Sequence, residues 1–177
     1  MSPAELSPRP PSASRTELAE LMMPHHANIL GKVFGGTVLA MIDKSAATAA
    51  IRHAGRTCVT AQVDRVTFQG PIEIGEMVRV LATVTYVGRT SLEVEVDVFA
   101  MNTLTGEERL TNECYVTMVA LDDEGRPAEV RPLLCETDAE RRRFERARTR
   151  MEERKAARAR LKAERAEDGE SPSGASR

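Results

Sequence analysis

The sequence has no Trp, only two Tyr and four Phe, and no excess of either charge: 25 Lys and Arg stand against 27 Asp and Glu, a net charge of -2. That balance excludes a globally basic surface for nucleic acid or an anionic membrane, so any cationic site has to be local. Cys58, Cys114 and Cys135 are too few and too scattered for a disulfide framework or a CxxC zinc site. They are expected as buried or inert thiols in a reducing compartment, and no metal site is expected. No run approaches the roughly 18 apolar residues of a membrane span, and the opening "MSPAELSPRPPSASR" lacks the apolar stretch of a secretory signal. The expectation is a soluble, cytoplasmic protein.

The 177 residues fit one domain of ordinary size with tails. Residues 1–14, rich in Pro and Ser, are expected to be disordered, and the folded domain to span 15–135. "RTELAELMM" reads as a short strand ended by Pro24. From Phe34 to Ala54 small and apolar residues dominate, Gly35 and Gly36 stand at the front, and Gly55 follows as a C-terminal cap. This predicts one helix of about five turns.

Within that helix Thr37, Lys44, Thr48 and Arg52 are seven, four and four residues apart, which lines them along one polar strip. Asp43 is off the strip. Its neighbours at three and four residues are Leu39, Ala40, Ala46 and Ala47, so a carboxylate projects from small apolar groups that let something approach closely. An unpartnered carboxylate there is costly to bury, so Asp43 either meets solvent, pairs with Lys44 or Arg52, or is used.

After Gly55 the period changes from 3.6 to 2. "TCVTAQVDRVTF" alternates loosely, with a phase shift expected at Asp64 to Val66, as a bulge produces. Val78, Val80, Ala82, Val84 and Tyr86 face one way in the next strand. In "SLEVEVDVFA", Leu92, Val94, Val96, Val98 and Ala100 oppose Glu93, Glu95 and Asp97, predicting one buried and one wet sheet face. "RLTNECYVTMVAL" gives a last strand, and "GPIEIGE", "VGRT" and "NTLTGEE" read as hairpin links. The fold class is therefore α+β: a strand, a long helix and four antiparallel strands, with the sheet wrapping the helix.

Residues 136–168 are dense in Ala, Glu, Arg and Lys, which predicts a charged C-terminal helix. Phe144, Ala147 and Met151 make a brief apolar stripe, so its first turns are expected to dock and the rest to stay solvated. Acidic residues interleave the basic ones and aromatics are scarce, which argues against a nucleic-acid arm. Residues 169–177 are expected to be a disordered tail.

The run "P-x-H-A-N-x-x-G-x-x-F-G-G" from Pro24, then "M-I-D" ending at Asp43, "V-T" at Val59 and Thr60, "F-x-x-P-I-x-x-G" from Phe68 to Gly75, and "V-G-R-T-S" from Val87 to Ser91 resembles the hotdog-fold acyl-CoA thioesterases. Within these the chain is most similar to the cytosolic acyl-CoA hydrolases, the brain-type enzymes and their bacterial relatives. The resemblance implies a hotdog fold, a long helix wrapped by an antiparallel sheet. It also implies homodimers joined edge to edge with the active sites at the interface, and assembly into a trimer of dimers.

The implied activity is hydrolysis of acyl-CoA to free acid and coenzyme A, with no cofactor beyond the coenzyme A of the substrate. No G-x-S-x-G elbow or evident Cys–His pair offers a nucleophile, which leaves a carboxylate. The resemblance places the catalytic aspartate on Asp43, as general base on water or as direct nucleophile. It places the active-site asparagine on Asn28, acting with the partner protomer's aspartate; an Asn at this position also suits a turn. Phe34, Gly35 and Gly36 open the helix and would receive the thioester oxygen on backbone N–H groups, although Gly there also permits tight packing. Gly88, Arg89, Thr90 and Ser91 form the hairpin that lies near coenzyme A in relatives, with Arg89 facing a phosphate. Lys32 and Arg65 are further candidates for that role. His25 and His26 invite a hydratase reading, but "HAN" matches the hydrolases; His53 reads as a favourable charge at the helix end. A non-catalytic acyl-CoA sensor is the other alternative.

Overall fold

The computed structural model describes residues 6–64 and 66–167, with side chains to 164. The elements are β1 (Thr16–Leu21), α1 (Gly35–Ala54), β2 (Cys58–Asp64), β3 (Glu76–Val87), β4 (Ser91–Asn102), β5 (Glu108–Ala120) and α2 (Asp138–Glu167). The five strands form one antiparallel sheet in the order β1-β3-β4-β5-β2. Only β3, β4 and β5 meander: β2 pairs with β5 at one edge, so "GPIEIGE" belongs to a connection that crosses the sheet and is not a hairpin. Among the described residues no helix is long and apolar enough to cross a membrane.

α1 starts at the two glycines and ends at Gly55, whose φ of 71° gives the left-handed cap and whose N–H donates to the Ile51 carbonyl at 2.8 Å. Val38, Met41, Ile42, Ala46, Ala49 and Ala50 are buried against the inward residues of the sheet, Val78, Val80, Ala82, Val84, Val94, Val96, Val98, Val116 and Met118. The expected alternation holds in β3 until Thr85, where the register with β4 slips and turns Tyr86 outward onto Phe144 of α2 at 5.0 Å between ring centroids. In β2 the slip falls between Thr60 and Gln62, earlier than the sequence rhythm suggests; Arg65 lies outside the described residues.

Two surfaces differ from expectation. Residues 9–14, read as disordered from composition, are fastened: Arg9 bridges to the strand-like run 132–134, Pro11 is buried, and Ser14 Oγ accepts from the Val84 N–H at 2.9 Å. Position-specific hydrogen bonds to folded backbone are invisible to composition. The outer sheet face is not wholly wet either, because α2 lies on it. Glu93 is fully buried there and accepts from Arg150 at 2.5 Å and Arg154 at 2.8 Å; Arg154 also pairs with Asp64 at the end of β2. Docking therefore reaches Arg154, four turns along α2, and is carried by ion pairs as well as by Ala147 and Phe144. Residues 1–5 and 168–177 lie outside the described residues.

Candidate active site

Asp43 is exposed on this protomer, in a face of α1 that also exposes Leu39, Ala40 and Ile51. It pairs with neither Lys44 nor Arg52. Its Oδ1 instead accepts a hydrogen bond of 2.5 Å from Thr60 Oγ1, reached from the facing edge strand. Thr60 Oγ1 also lies 3.4 Å from Met118 Sδ. The bulge at Ala61 follows Thr60 directly, and there the strand changes register while Thr60 stays turned toward α1. A hydroxyl donating to one carboxylate oxygen fixes the side-chain rotamer and leaves the other oxygen for a water.

Asn28 opens the turn before α1. Its Oδ1 accepts from the N–H groups of Leu30 at 2.8 Å and Lys32 at 3.2 Å, and its backbone exchanges hydrogen bonds with Lys32 and Gly31. Gly31 has φ 73°, which this reversal requires. The turn reading is thus correct for the carbonyl, while Nδ2 has no acceptor among the described residues and stays available as a donor. Asn28 and Asp43 share no hydrogen bond on one chain.

Phe34 caps α1 without a side-chain bond, so the first N–H groups of the helix, on Gly35 and Gly36, point outward unfilled by a cap. A Cβ on Gly36 would sit 2.3 Å from the Phe34 ring, and one on Gly35 3.3 Å from Phe68; both rings are about half exposed beside the helix start. The glycines make room for these rings as well as baring backbone.

The hairpin is closed by Gly88 N–H donating to Ser91 O at 2.8 Å, and the Arg89 and Thr90 carbonyls accept from Val130 and Ala120. Its geometry is therefore fixed by the sheet, with the Arg89 side chain exposed. Lys32 is committed to Glu73 at 2.6 Å.

His26 is structural: Nδ1 accepts from Met23 N–H at 3.1 Å and Nε2 lies 3.4 Å from Glu20. His53 corrects the sequence reading. It is fully buried, Nε2 donates to the Arg131 carbonyl at 3.1 Å, and burial pushes its pKa down, so it is a neutral core imidazole and not a cation on the helix dipole. Burial also raises the thiols, Cys58 to about 11 and Cys114 to about 12, which keeps both protonated and unreactive.

Thr60 is the residue whose role the sequence reading missed. It stands in the quoted "V-T" pair, but a threonine in a strand is unremarked until the fold puts its hydroxyl on Asp43.

One long helix wrapped by a five-stranded antiparallel sheet, with a carboxylate held at the sheet edge, is the hotdog arrangement. Residues 30–107 match the Thioesterase superfamily. Protein VdlD of Helicobacter pylori is 39% identical over 81% of this chain and 83% of its own length. The uncharacterized acyl-CoA thioester hydrolase YkhA of Bacillus subtilis is 38% identical over 67% and 69%. A solved acyl-CoA hydrolase from Staphylococcus aureus, in complex with butyryl coenzyme A and coenzyme A, is 35% identical over 92% of this chain and 99% of that one, with a TM-score of 0.82. A hexameric acyl-CoA thioesterase is 42% identical over 86% and 98%, also with a TM-score of 0.82. The chain belongs to the hotdog-fold acyl-CoA thioesterases. Variants of the Staphylococcus enzyme have been solved with Ala replacing an Asn, an Asp and a Thr spaced 15 and 17 residues apart, the residue types and spacing of Asn28, Asp43 and Thr60.

Proposed function

We infer that this protein hydrolyses acyl-CoA to a free carboxylic acid and coenzyme A, with Asp43 as the general base. The observation that carries the residue assignment is the Thr60–Asp43 hydrogen bond, which orients a carboxylate at the open edge of the sheet. Asp43 takes a proton from a water, the resulting hydroxide adds to the thioester carbonyl, and the oxyanion is met by the N–H groups of Gly35 and Gly36 and the Asn28 amide of the partner protomer. Collapse expels the coenzyme A thiolate, which takes the proton back. No metal or cofactor enters; coenzyme A arrives with the substrate, its phosphate end near Gly88, Arg89, Thr90 and Ser91. A sensor would need neither the oriented carboxylate nor the free amide, and His26, which a hydratase would use, is engaged in its turn.

A second protomer supplies what one chain lacks. β2 is an edge strand with Val59 and Val63 exposed, and the exposed α1 face surrounds Asp43 with Leu39, Ala40 and Ile51. Pairing two β2 edges extends the sheet, covers both faces and brings one chain's Asn28 to the other's Asp43. The hexameric relatives, including one from Yersinia pestis, support stacking of three such dimers.

Thiol release from acyl-CoAs of graded chain length tests the activity. Turnover with at least one chain length is expected; no thiol release across the series would refute it.

A further inference from the structure

Between α2 and the outer sheet face lies a cleft of about 520 Å³ that meets the site described above only at the hairpin. Its floor holds Ala61 and Gln62, the residues after Thr60, together with Thr117 and Val119 of β5; its far end is Gly88 and Ser91 of the hairpin. Its wall is one face of α2, with Met151, Arg154, Lys155 and Arg158, and the single carboxylate of Glu152. Arg154 is engaged with Glu93, Asp64 and Thr117, yet its Nη2 is buried with no hydrogen-bond partner among the described residues. Lys155 and Arg158, three residues apart and exposed, make no ion pair or hydrogen bond among the described residues, and of the α2 cations without such a partner they are the two that line this cleft.

A chain with balanced charge has set two unpaired cations and an orphaned guanidinium N–H along one groove that ends on the substrate hairpin. We propose that α2 is part of the substrate site: the cleft receives the phosphate-bearing nucleotide end of coenzyme A, with Lys155 and Arg158 as its phosphate ligands. This rests on the acyl-CoA thioesterase reading. It gives the charged C-terminal helix a function beyond its clasp on Glu93, since the docked half of α2 positions the cations that follow it.

The test compares two thioesters with the same acyl group, one of coenzyme A and one of pantetheine, which carries no phosphate. Lys155→Ala/Arg158→Ala should raise KM for acyl-CoA about five- to tenfold, and Lys155→Glu/Arg158→Glu more, while the pantetheine thioester is cleaved as by the parent. Unchanged KM for acyl-CoA, or an equal loss on both thioesters, overturns the proposal. If the parent cleaves neither thioester, the hydrolase reading fails by itself. Calorimetric binding of coenzyme A then decides the cleft: weaker binding by the double variant supports it, equal binding overturns it.

Discussion

Thr60 donates its hydroxyl hydrogen to Asp43 Oδ1 at 2.5 Å, joining the edge strand to the central helix at the point where the sheet opens. A base is useful only in the rotamer that faces its water, and nothing else among the described residues holds this carboxylate.

Thr60→Val keeps the shape and removes the donor. A hydrogen bond to a charged group contributes about 1.5–3 kcal/mol, so kcat/KM should fall about 10- to 100-fold. Thr60→Ser should retain most activity. Steady-state thiol release measures both, and a fully active Thr60→Val would remove the hydroxyl from the mechanism.

Asp43→Ala removes the base and should lower kcat about 10²- to 10⁴-fold, and Asn28→Ala should also be strongly impaired. Because Asn28 and Asp43 share no hydrogen bond on one chain, each site is proposed to draw one from each protomer. Unfolding and refolding the two inactive variants together gives hybrid dimers, in which one of the two sites is intact. Activity should return in the mixture; a mixture as inactive as its components shows that the two residues serve the same chain.

Glu93 is fully buried on the outer sheet face, and Arg150 and Arg154 of α2 are its partners. Stripping both arginines leaves a buried carboxylate with no cationic partner and only the Thr85 hydroxyl donating to it at 3.3 Å, so Arg150→Ala/Arg154→Ala should cost about 3–5 kcal/mol of stability in urea unfolding. Adding Glu93→Leu to that background should recover a large part of it, because an apolar residue there needs no partner. A triple variant no more stable than the double would mean that α2 is held by its packing alone.

These relationships mark where the sequence was readable. The glycines around α1, the period-2 runs of β3 and β4 and the spacing that sets Asp43 off the polar strip are local signals, and each reappears in the fold. The Thr60–Asp43 bond joins residues 17 apart across a turn, and Glu93 meets arginines 57 and 61 residues away; no local pattern encodes such partners. Glu93 looked solvent-facing because alternation assigns a face without saying what covers it. His53 looked like a helix-end cation because the segment around Arg131 that buries it comes from beyond β5. β2 sits at the far edge through a crossing connection that strand order alone left open.

Asp97 tests the outer face by pH. It lies directly across from Glu113 and beside Glu95; burial first and then these two carboxylates raise its pKa to about 6, with Arg143 opposing. Between the ordinary carboxyl value of 3.8 and about 6 the folded state binds more protons than the unfolded one. The group's stabilising contribution is therefore present below the lower value and lost as pH rises through about 6. Asp97→Asn removes the like-charge opposition and should be more stable than the parent at pH 7.5, by up to about 1 kcal/mol. The difference should shrink as pH falls through about 6, where the parent protonates Asp97 itself. Urea unfolding of both proteins at pH 7.5 and pH 5 checks this, and an equal gap at the two values would show that the charge on Asp97 is not what the substitution relieves.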